Sequence, residues 1–371
     1  MATDVTLSET PQDNLMRRWF RPLLERGTTT CAPNLETTLA FLRVGEIELP
    51  LTVNEAEWEN SWLCSPWTHY ITYAREEIDR SVGPVTSALG GALLGTLGTW
   101  FRKAEINRVV MVNNWLHSTN PWPHWEAEDL PAVLEAMTQR WPGHAIVFRS
   151  LHAKESAPLL AALHRTGAML VPSRQIWWYE AGSEAVVKSP DFRKDVRLLR
   201  RCDLEIVPHE SILEAEIETL TELYSRLYLG KYSRHNPRYT TDWLGHLHRE
   251  NLARFTALRE PGGRLVGVEA CTELHGVLTS PIVGYDLDQP REIGLYRRLA
   301  AVPVLEAMKR GIPLNLSAGV GRFKALRGGE PVMEYLGVYV RHLPATRRAP
   351  WRAVHELSTR LLAPHVQKHG L

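Results

Sequence analysis

One helix, turn and strand pattern occurs twice in this chain and constrains its fold more than any other feature. The string Val-Leu-Glu-Ala-Met begins at Val133 and again at Val304, each time on a predicted helix that a short turn connects to an apolar strand. The two strands carry serines at comparable places, Ser150 and Ser317. A repeat of this kind predicts two related halves of one α/β architecture.

The rest of the chain alternates predicted helices with short apolar strands. Helices are predicted over residues 14–26, 70–98, 130–141, 156–165, 211–229 and 295–310. Strands are predicted over 39–53 and 253–276 as hairpins, and over 108–114, 144–151, 169–180, 278–286, 312–319 and 330–343. This order predicts an α/β fold in which each half has a mixed central sheet flanked by helices.

The predicted boundary between the halves lies at Ala181-Gly182-Ser183. The chain has 371 residues, which is more than one hydrophobic core usually supports. After the boundary the composition turns basic, with Arg193, Lys194 and Arg197 in one predicted helix. We therefore predict an N-terminal domain over residues 1–182 and a C-terminal domain over residues 183–371.

Charge and cysteine content limit the classes of protein. Lys and Arg number 43 against 42 Asp and Glu, so the net charge of +1 gives no general attraction to nucleic acid or membrane, and a polyanion must meet a local basic patch. The 4 cysteines are widely spaced, which favours a reducing compartment. The polar N-terminus is not typical of a signal peptide, and the glycine-broken apolar segment 85–101 is too short to span a bilayer. We expect a soluble, cytoplasmic protein without a membrane partner.

Segments of the second half resemble a known family. Residues 263–276, 279–286 and 293–319 resemble the central part of the GNAT acyltransferase fold. Residues 321–340, with the pair Phe323-Lys324 and the turn Arg327-Gly328-Gly329, are similar to the closing part of the FemABX-like transferases. That resemblance implies two GNAT domains in tandem and the transfer of an activated acyl group to a nucleophile, usually an amine.

The resemblance leaves the acyl donor to be decided by the residues. GNAT enzymes that use acyl-CoA carry a loop with a basic residue, a glycine and a small last residue, which holds the pyrophosphate at a helix N-terminus. The matching segment here, Arg291-Glu-Ile-Gly294-Leu-Tyr296, ends in tyrosine and carries Glu292. This favours the aminoacyl-tRNA used by FemABX-like members, with acyl-CoA as the alternative donor and a non-catalytic binding module as a third possibility.

Three residues are predicted to be catalytic. Glu273 lies with Glu269 and His275 at alternate positions of a predicted strand, which puts a candidate base on one face. Asp286 ends the next strand, and Lys324 lies in a glycine-rich basic segment suited to a phosphate or an oxyanion. Each residue also has a purely structural interpretation: Glu273 as part of a solvated strand face, Asp286 as a turn-capping residue, and Lys324 as part of a basic surface loop.

Further residues are predicted to bind substrates. Polar groups beside tryptophan suit a small-molecule cleft, and tyrosines mixed with basic residues suit a nucleotide. The predicted substrate-binding residues are His69, Tyr70, Asn114, His117, Ser118, Tyr232 and Ser317. The predicted tRNA- or phosphate-binding residues are Arg193, Lys194, Arg197, Lys231, Arg291, Arg322 and Arg327.

The sequence therefore predicts an acyltransferase that moves an aminoacyl group from aminoacyl-tRNA to an amine or hydroxyl of a small molecule, an intermediate of specialised biosynthesis. His69 and His117 lack metal-ligand spacing to any partner, so we expect no metal and no tightly bound cofactor. The acyl group, the acceptor and the oligomeric state are left open.

Overall fold

The computed structural model describes residues 4–81, 84–201, 203–362 and Pro364, so Cys202 lies outside the described residues. The described residues divide into two compact units. Unit 1 contains the chain up to Ser173, the short segment His235–Pro237 and Glu334–Pro364. Unit 2 contains Arg174–Arg234 and Arg238–Met333.

In the sheet of unit 1, the strands from the first half of the chain form an antiparallel ladder followed by one parallel pair. Its strands from the first half are β1 (Val5–Ser8), β2 (Thr38–Val44), β3 (Ile47–Asn54), β4 (Val109–Val112) and β5 (Ala145–Leu151). Neighbours from β1 to β4 run antiparallel, and β4 pairs with β5 in parallel. Every residue of β4 and β5 is buried, as expected for strands covered on both faces.

The sheet of unit 2 repeats this pairing order. Its strands from the second half are β7 (Glu205–Pro208), β8 (Arg254–Arg259), β9 (Leu265–Leu274), β10 (Val277–Tyr285) and β11 (Leu314–Asn315). Neighbours from β7 to β10 run antiparallel, and β10 pairs with β11 in parallel.

The last strand of each half pairs with the fifth strand of the other half. Strand β12 (Glu330–Tyr339) pairs antiparallel with β5 in unit 1, and β6 (Met169–Tyr179) pairs antiparallel with β11 in unit 2. The domain boundary predicted after residue 182 remains a prediction. The repeated pairing order confirms two GNAT-like mixed α/β folds in tandem, which is the arrangement that the FemABX resemblance implies.

The two serines of the sequence repeat occupy equivalent bulges. In unit 1, β5 shifts register against β12 between the pairs Phe148–Gly337 and Leu151–Tyr335. In unit 2, the Leu316 amide donates to the Trp177 carbonyl at 2.9 Å, and the Trp177 amide donates to the Ser317 carbonyl at 3.1 Å. Ser150 and Ser317 both have φ of 55°. The comparable placement predicted from the repeat is therefore confirmed.

Helices flank both sheets. They are α1 (Asn14–Arg26), α2 (Ala74–Ser81), α3 (Pro84–Lys103), α4 (Leu130–Arg140), α5 (Ala157–Arg165), α6 (Glu184–Lys188), α7 (Pro190–Leu199), α8 (Ile217–Ser225), α9 (Thr241–Arg249), α10 (Leu295–Arg310), α11 (Gly321–Ala325) and α12 (Ala345–Leu357). In unit 2, α8 lies so close to β10 that a Cβ on Gly284 would come within 2.4 Å of the Tyr224 amide nitrogen. Glycine at this position lets the helix and the strand meet backbone to backbone.

The helix predicted over 70–98 corresponds to α2 and α3, between which residues 82 and 83 lie outside the described residues, and α3 continues to Lys103. Two other predicted elements also differ from the structure. The helix predicted over 211–229 begins at Ile217 and continues as π-helix over Arg226–Tyr232, because Ile212 and Leu213 have extended backbone. The strand predicted over 312–319 is reduced to Leu314–Asn315, since the bulge at Ser317 ends its pairing.

The described part of the chain contains no candidate membrane-spanning helix and three free cysteines. No helix there has the length and apolar character needed to cross a bilayer. Cys31, Cys64 and Cys271 are buried free thiols.

Candidate functional site

The parallel strands of unit 2 separate soon after they pair. Leu278 pairs with Leu314 and Thr279 pairs with Asn315, after which β10 bulges away from β11 and continues in its pairing with β9. Beyond β11 the chain turns through positive φ values, 55° at Ser317, 82° at Gly319 and 46° at Val320. A β-branched residue in this region is strained, so the segment 316–320 needs firm support from its surroundings.

Lys324 provides that support from α11. Its Nζ donates to the carbonyl of Leu316 at 2.6 Å, of Ala318 at 2.8 Å and of Ser317 at 3.3 Å. The side chain of Lys324 is buried, and the Tyr179 hydroxyl donates a hydrogen bond to the backbone carbonyl of Lys324 at 3.1 Å. The ammonium group therefore lies beside the segment where the two parallel strands diverge.

Burial makes this lysine unusually acidic. Loss of hydration, reinforced by the charge of Arg174, lowers the pKa of Lys324 to about 7. A group that titrates near neutral pH can both give and take a proton under physiological conditions, which is the property required of an acid–base catalyst.

This pKa shift predicts a pH-dependent stability. In the unfolded chain Lys324 keeps its proton up to the ordinary pKa of 10.5, whereas the folded protein releases it near 7. Between these values the unfolded state binds more protons, so the free energy of unfolding rises with pH. Relative to Lys324→Met, the wild-type protein should gain about 2 kcal/mol between about pH 7 and about pH 9 in urea unfolding. Parallel pH curves for the two proteins would show that Lys324 has an ordinary pKa.

Aromatic side chains fill the region between the end of β10 and the start of α10. The ring of Tyr296 lies 4.9 Å from Phe323 and 6.1 Å from Tyr285. Lys231 places its Nζ 5.7 Å from the Tyr232 ring and 5.9 Å from the Tyr285 ring. Tyr296, in the first turn of α10, therefore packs its ring between those of Tyr285 and Phe323.

A basic helix packs directly on the segment that carries Lys324. Arg193, Lys194 and Arg197 are exposed on α7. From the buried side of the same helix, Asp195 accepts hydrogen bonds from Arg327 and, at 2.6 Å, from Arg297. These contacts fix the exposed positive charges of α7 beside α11.

The other predicted phosphate-binding residues fall into two groups. Lys231, Arg291 and Arg322 are exposed. Arg327 is buried against Asp195, with its guanidinium carbon 3.3 Å from the centre of the Phe323 ring. The prediction for Arg327 is corrected, because its charge is committed to Asp195 within the fold and is withdrawn from solvent.

The three predicted catalytic residues do not form one site. Glu273 lies near the turn of the β9–β10 hairpin and is paired with Arg310. Asp286 follows the opposite end of β10, where it pairs with Arg264 at 2.7 Å. The length of the hairpin separates these carboxylates by roughly 25 Å, so they cannot act on one bond.

Asp286 has the environment of a structural carboxylate. Burial alone would raise the pKa of Asp286, but hydrogen bonds from the Asp288 amide and Arg264, together with the charges of Arg264 and Arg226, hold that pKa below its usual value. A carboxylate stabilised in this way is a weak base, which argues against its predicted catalytic role.

The prediction of a common strand face for Glu269, Glu273 and His275 is corrected for His275. Strand β9 ends at Leu274, and His275 lies in the turn with φ of 52°. Glu269 is buried and accepts a hydrogen bond from the Cys271 thiol at 3.0 Å, and burial raises the pKa of Glu269 to about 7.

Five predicted substrate-binding residues belong to unit 1. The rings of His69 and Tyr70 lie 4.7 Å apart on the π-helical turn Thr68–Tyr73. Asn114 is buried and donates to the Thr52 hydroxyl at 2.8 Å and to the Leu63 carbonyl at 3.0 Å. The remaining two residues are His117 and Ser118.

His117 and Ser118 lie on the loop after β4. Burial, with the charge of Arg149, lowers the pKa of His117 to about 3, so its imidazole is neutral at physiological pH. Ser118 is half-buried. The other two predicted substrate-binding residues, Ser317 and the exposed Tyr232, belong to unit 2.

Sequence reasoning missed Arg149, a buried cation of unit 1. It donates to the side-chain oxygen of Asn114 and lies 5.8 Å from the Trp62 ring. The sequence did contain a clue, because Arg149 is the one charged residue of a largely apolar strand, and a buried charge needs compensating partners.

No group of His, Cys, Asp or Glu side chains among the described residues is arranged to hold a metal ion.

Comparisons with known proteins add distant structural likenesses. No family model matches the chain, and no curated protein sequence matches it. The solved structure of FemX aligns with 60% of this chain and 79% of its own at 10% identity, with a TM-score of 0.49. L-PGS from Bacillus licheniformis aligns over 61% and 77% at 14% identity, with a TM-score of 0.44.

A third structure aligns over nearly the whole chain. A tandem GNAT protein from the clavulanic acid biosynthesis pathway covers 92% of this chain and 100% of its own at 10% identity, with a TM-score of 0.42. At such scores these likenesses carry no weight of their own, and the fold assignment rests on the strand order described above.

Proposed function

We propose that the protein is an acyltransferase that moves an aminoacyl group from aminoacyl-tRNA to an amine or hydroxyl of a small-molecule acceptor. The observation that carries this proposal is Lys324, a buried ammonium group with a pKa of about 7 beside the separating strands of a GNAT-like fold. Acyl transfer needs a group at such a place to stabilise an oxyanion and to move a proton.

The hydrogen bonds of Lys324 suit this role. Its three ammonium hydrogens are held by three carbonyls, and the longest contact, 3.3 Å to Ser317, is the weakest of them. A substrate oxygen can replace the Ser317 carbonyl as acceptor while the other two bonds hold the nitrogen in place.

The chemistry then balances within one site. The acceptor nucleophile attacks the carbonyl carbon of the aminoacyl ester, and the Lys324 ammonium stabilises the oxyanion that forms. The carbon–oxygen bond to the ribose breaks, and Lys324 gives its proton to the departing oxygen. The neutral amine takes up the proton that the nucleophile loses, which a pKa near 7 permits.

The preference for an RNA-borne donor is supported by two features of unit 2. Tyr296 stands where the acyl-CoA loop motif has a small residue, and its bulky ring is packed against Phe323 and Tyr285 at the start of α10. The exposed positive charges of α7 lie beside α11 and suit a phosphate backbone.

Binding measurements test this choice of donor. We expect aminoacylated tRNA to be retained by the protein at about 50 mM salt and released at about 200 mM, while acetyl-CoA gives no calorimetric signal. Changing Arg193, Lys194 and Arg197 together to glutamate should weaken RNA binding by about 10- to 50-fold at the lower salt.

A matched control exists on another helix. Arg17, Arg18 and Arg21 of α1 are exposed and have the same spacing, so their triple glutamate variant changes net charge equally. It should bind RNA within about 3-fold of the wild-type protein at the same salt. Saturable acetyl-CoA binding without RNA retention would instead support the alternative, an acyl-CoA-dependent transferase.

A further inference from the structure

A wide groove of unit 2 lies at the C-terminal end of α7. Its volume of about 590 Å³ is in the range of ordinary small-molecule sites. The end of α7 with Arg200 and Arg201 forms one side, and strand β7 together with the turn between β8 and β9 forms the other. Lys324 and the segment 316–320 contribute nothing to its lining, so the groove is a site apart from the proposed chemistry.

A stripe of positive charge runs along α7 to this groove. Arg193, Arg197 and Arg200 are exposed and follow one another at intervals of four and three residues, which places them on one face of the helix. Arg201 adds a further exposed charge at the groove itself. Like charges at this spacing repel each other and weaken an isolated helix. A bound polyanion removes that repulsion, so the stripe is complementary to one.

The acids of the groove have partners within unit 2. Glu205 lies 3.5 Å from Arg259, which also pairs with Glu216 at 2.8 Å. Glu260 lies 3.0 Å from Arg264. Each acid of the groove thus has an arginine partner, which reduces the repulsion that it exerts on an anion.

The two arginines at the end of α7 lack a carboxylate of this kind. Among the described residues, neither Arg200 nor Arg201 forms a salt bridge. Asp203, the nearest acid along the chain, is bound to Arg298 at 2.6 Å. Both guanidinium groups can therefore donate to an anion in the groove, and their paired N–H groups match the geometry of a phosphate.

The rest of the lining includes apolar side chains and the edge of a strand. Leu199 and Leu204 are buried, whereas Ile206 of β7 is 41% exposed. In the described residues, β7 is the last strand of its sheet and pairs only with β8. Its outer edge therefore offers backbone donors and acceptors to a ligand in the groove.

A nucleic acid matches both features of this surface. Its phosphates repeat along a backbone, which suits the stripe of α7 and the arginines of the groove. Its bases have flat faces for Ile206 and hydrogen-bonding edges for β7. An acidic peptide matches the charges, but β7 has four residues and ends in Pro208, so its edge is too short to hold a peptide as an added strand.

We propose that the groove binds one nucleotide of the RNA that carries the acyl group, with a phosphate at Arg200 and Arg201 and the base against Leu204 and Ile206. The RNA backbone continues from the groove along the stripe towards Arg193. The inference rests on the proposed function for the identity of the RNA, but it concerns binding alone and involves no step at Lys324.

The test uses uncharged bulk tRNA, because its binding requires no acyl group. Affinity is measured between about 50 and 200 mM salt. Changing Arg200 and Arg201 together to glutamine should weaken binding about 10-fold at the lower salt and reduce the slope of log affinity against log salt by about 1, as expected for one lost phosphate contact. The control changes Arg17 and Arg18 to glutamine, two adjacent exposed arginines of α1, and should keep the wild-type affinity and slope.

Ile206→Ser tests the base contact separately from the phosphate contact. It should weaken tRNA binding about 3- to 5-fold and leave the salt slope unchanged, because no charge is removed. Leu213→Ser is the matched control, since Leu213 is 63% exposed in the same unit but outside the groove, and it should bind as the wild-type protein does. Polyglutamate should compete with tRNA at least about 10-fold less well than unlabelled tRNA does, because it provides no base.

Three results would each overturn the proposal: an arginine double variant with wild-type affinity and slope, equal binding by Ile206→Ser and Leu213→Ser, or equal competition by polyglutamate. The proposed donor survives these results as long as the wild-type protein retains RNA. A wild-type protein that binds no RNA would remove the donor and the groove together, and transfer assays with acetyl-CoA would then identify the alternative donor.

Discussion

Replacement of Lys324 by methionine is expected to lower kcat/KM for acyl transfer about 10³-fold. Methionine fills nearly the same volume but cannot stabilise an oxyanion or protonate a departing oxygen. The Nζ lies within 3.3 Å of the carbonyls of Leu316, Ser317 and Ala318, so the substitution removes the proton donor from that segment. The measurement is a steady-state transfer rate at neutral pH.

The controls separate chemistry from folding. Lys309→Met, at an exposed position of α10, makes the same substitution and should leave kcat/KM unchanged. Lys324→Arg keeps a positive charge but cannot release a proton near neutral pH, so it should recover at most about a tenth of the lost activity. A Lys324→Met protein that retains a wild-type transfer rate would remove Lys324 from the mechanism.

The second large effect concerns stability. Replacement of Asp195 by alanine is expected to lower the free energy of unfolding by about 3–5 kcal/mol. Asp195 is 1% exposed and accepts from Arg297 of α10 and from Arg327 next to α11. Its loss leaves Arg327, itself buried, without a counter-charge and frees α7 from its two neighbours.

Urea unfolding followed by circular dichroism measures this effect. Asp191→Ala, on the first turn of the same helix, removes a carboxylate 3.5 Å from Lys194 and is the matched control. It should cost less than about 1 kcal/mol, as expected for a surface pair. Equal losses in the two variants would mean that Asp195 does not hold the helix in place.

Much of the fold was predictable because its strands and helices have strong periodic patterns. Strand β5 is apolar apart from Arg149 and Ser150 and is fully buried, and α10 is followed by Gly311, which adopts the left-handed conformation of a helix terminator. Strands β1 and β7 were missed because each has four residues and none of the four in β1 is fully buried. Such short strands form only where a neighbouring strand completes their hydrogen bonds.

The sequence could not predict that β6 pairs with a strand of the second half and β12 with a strand of the first half. Each is an ordinary apolar strand in the sequence, and periodicity carries no information about which neighbour a strand chooses. Pairing partners depend on contacts between residues far apart in the chain.

The candidate site was predictable only in part. Lys324 was identified through the Phe323-Lys324 pair. The causes that lower its pKa, which are mainly burial and then the charge of Arg174, are visible only in the folded chain. Glu273 and Asp286 were named from their strand positions, and position alone cannot reveal that Arg310 and Arg264 neutralise them. Partners recruited from distant segments decide whether an acidic residue is catalytic or structural.

The most direct test is the rate at which the purified protein accelerates the reaction of a labelled aminoacyl-tRNA pool with hydroxylamine, a small surrogate nucleophile, at neutral pH. Acyl transfer at Lys324 predicts hydroxamate formation at least about 10²-fold faster than the uncatalysed reaction, with Lys324→Met near the uncatalysed rate. An uncatalysed rate for every aminoacyl-tRNA, with acetyl-CoA consumed in its place, would contradict the RNA-borne donor.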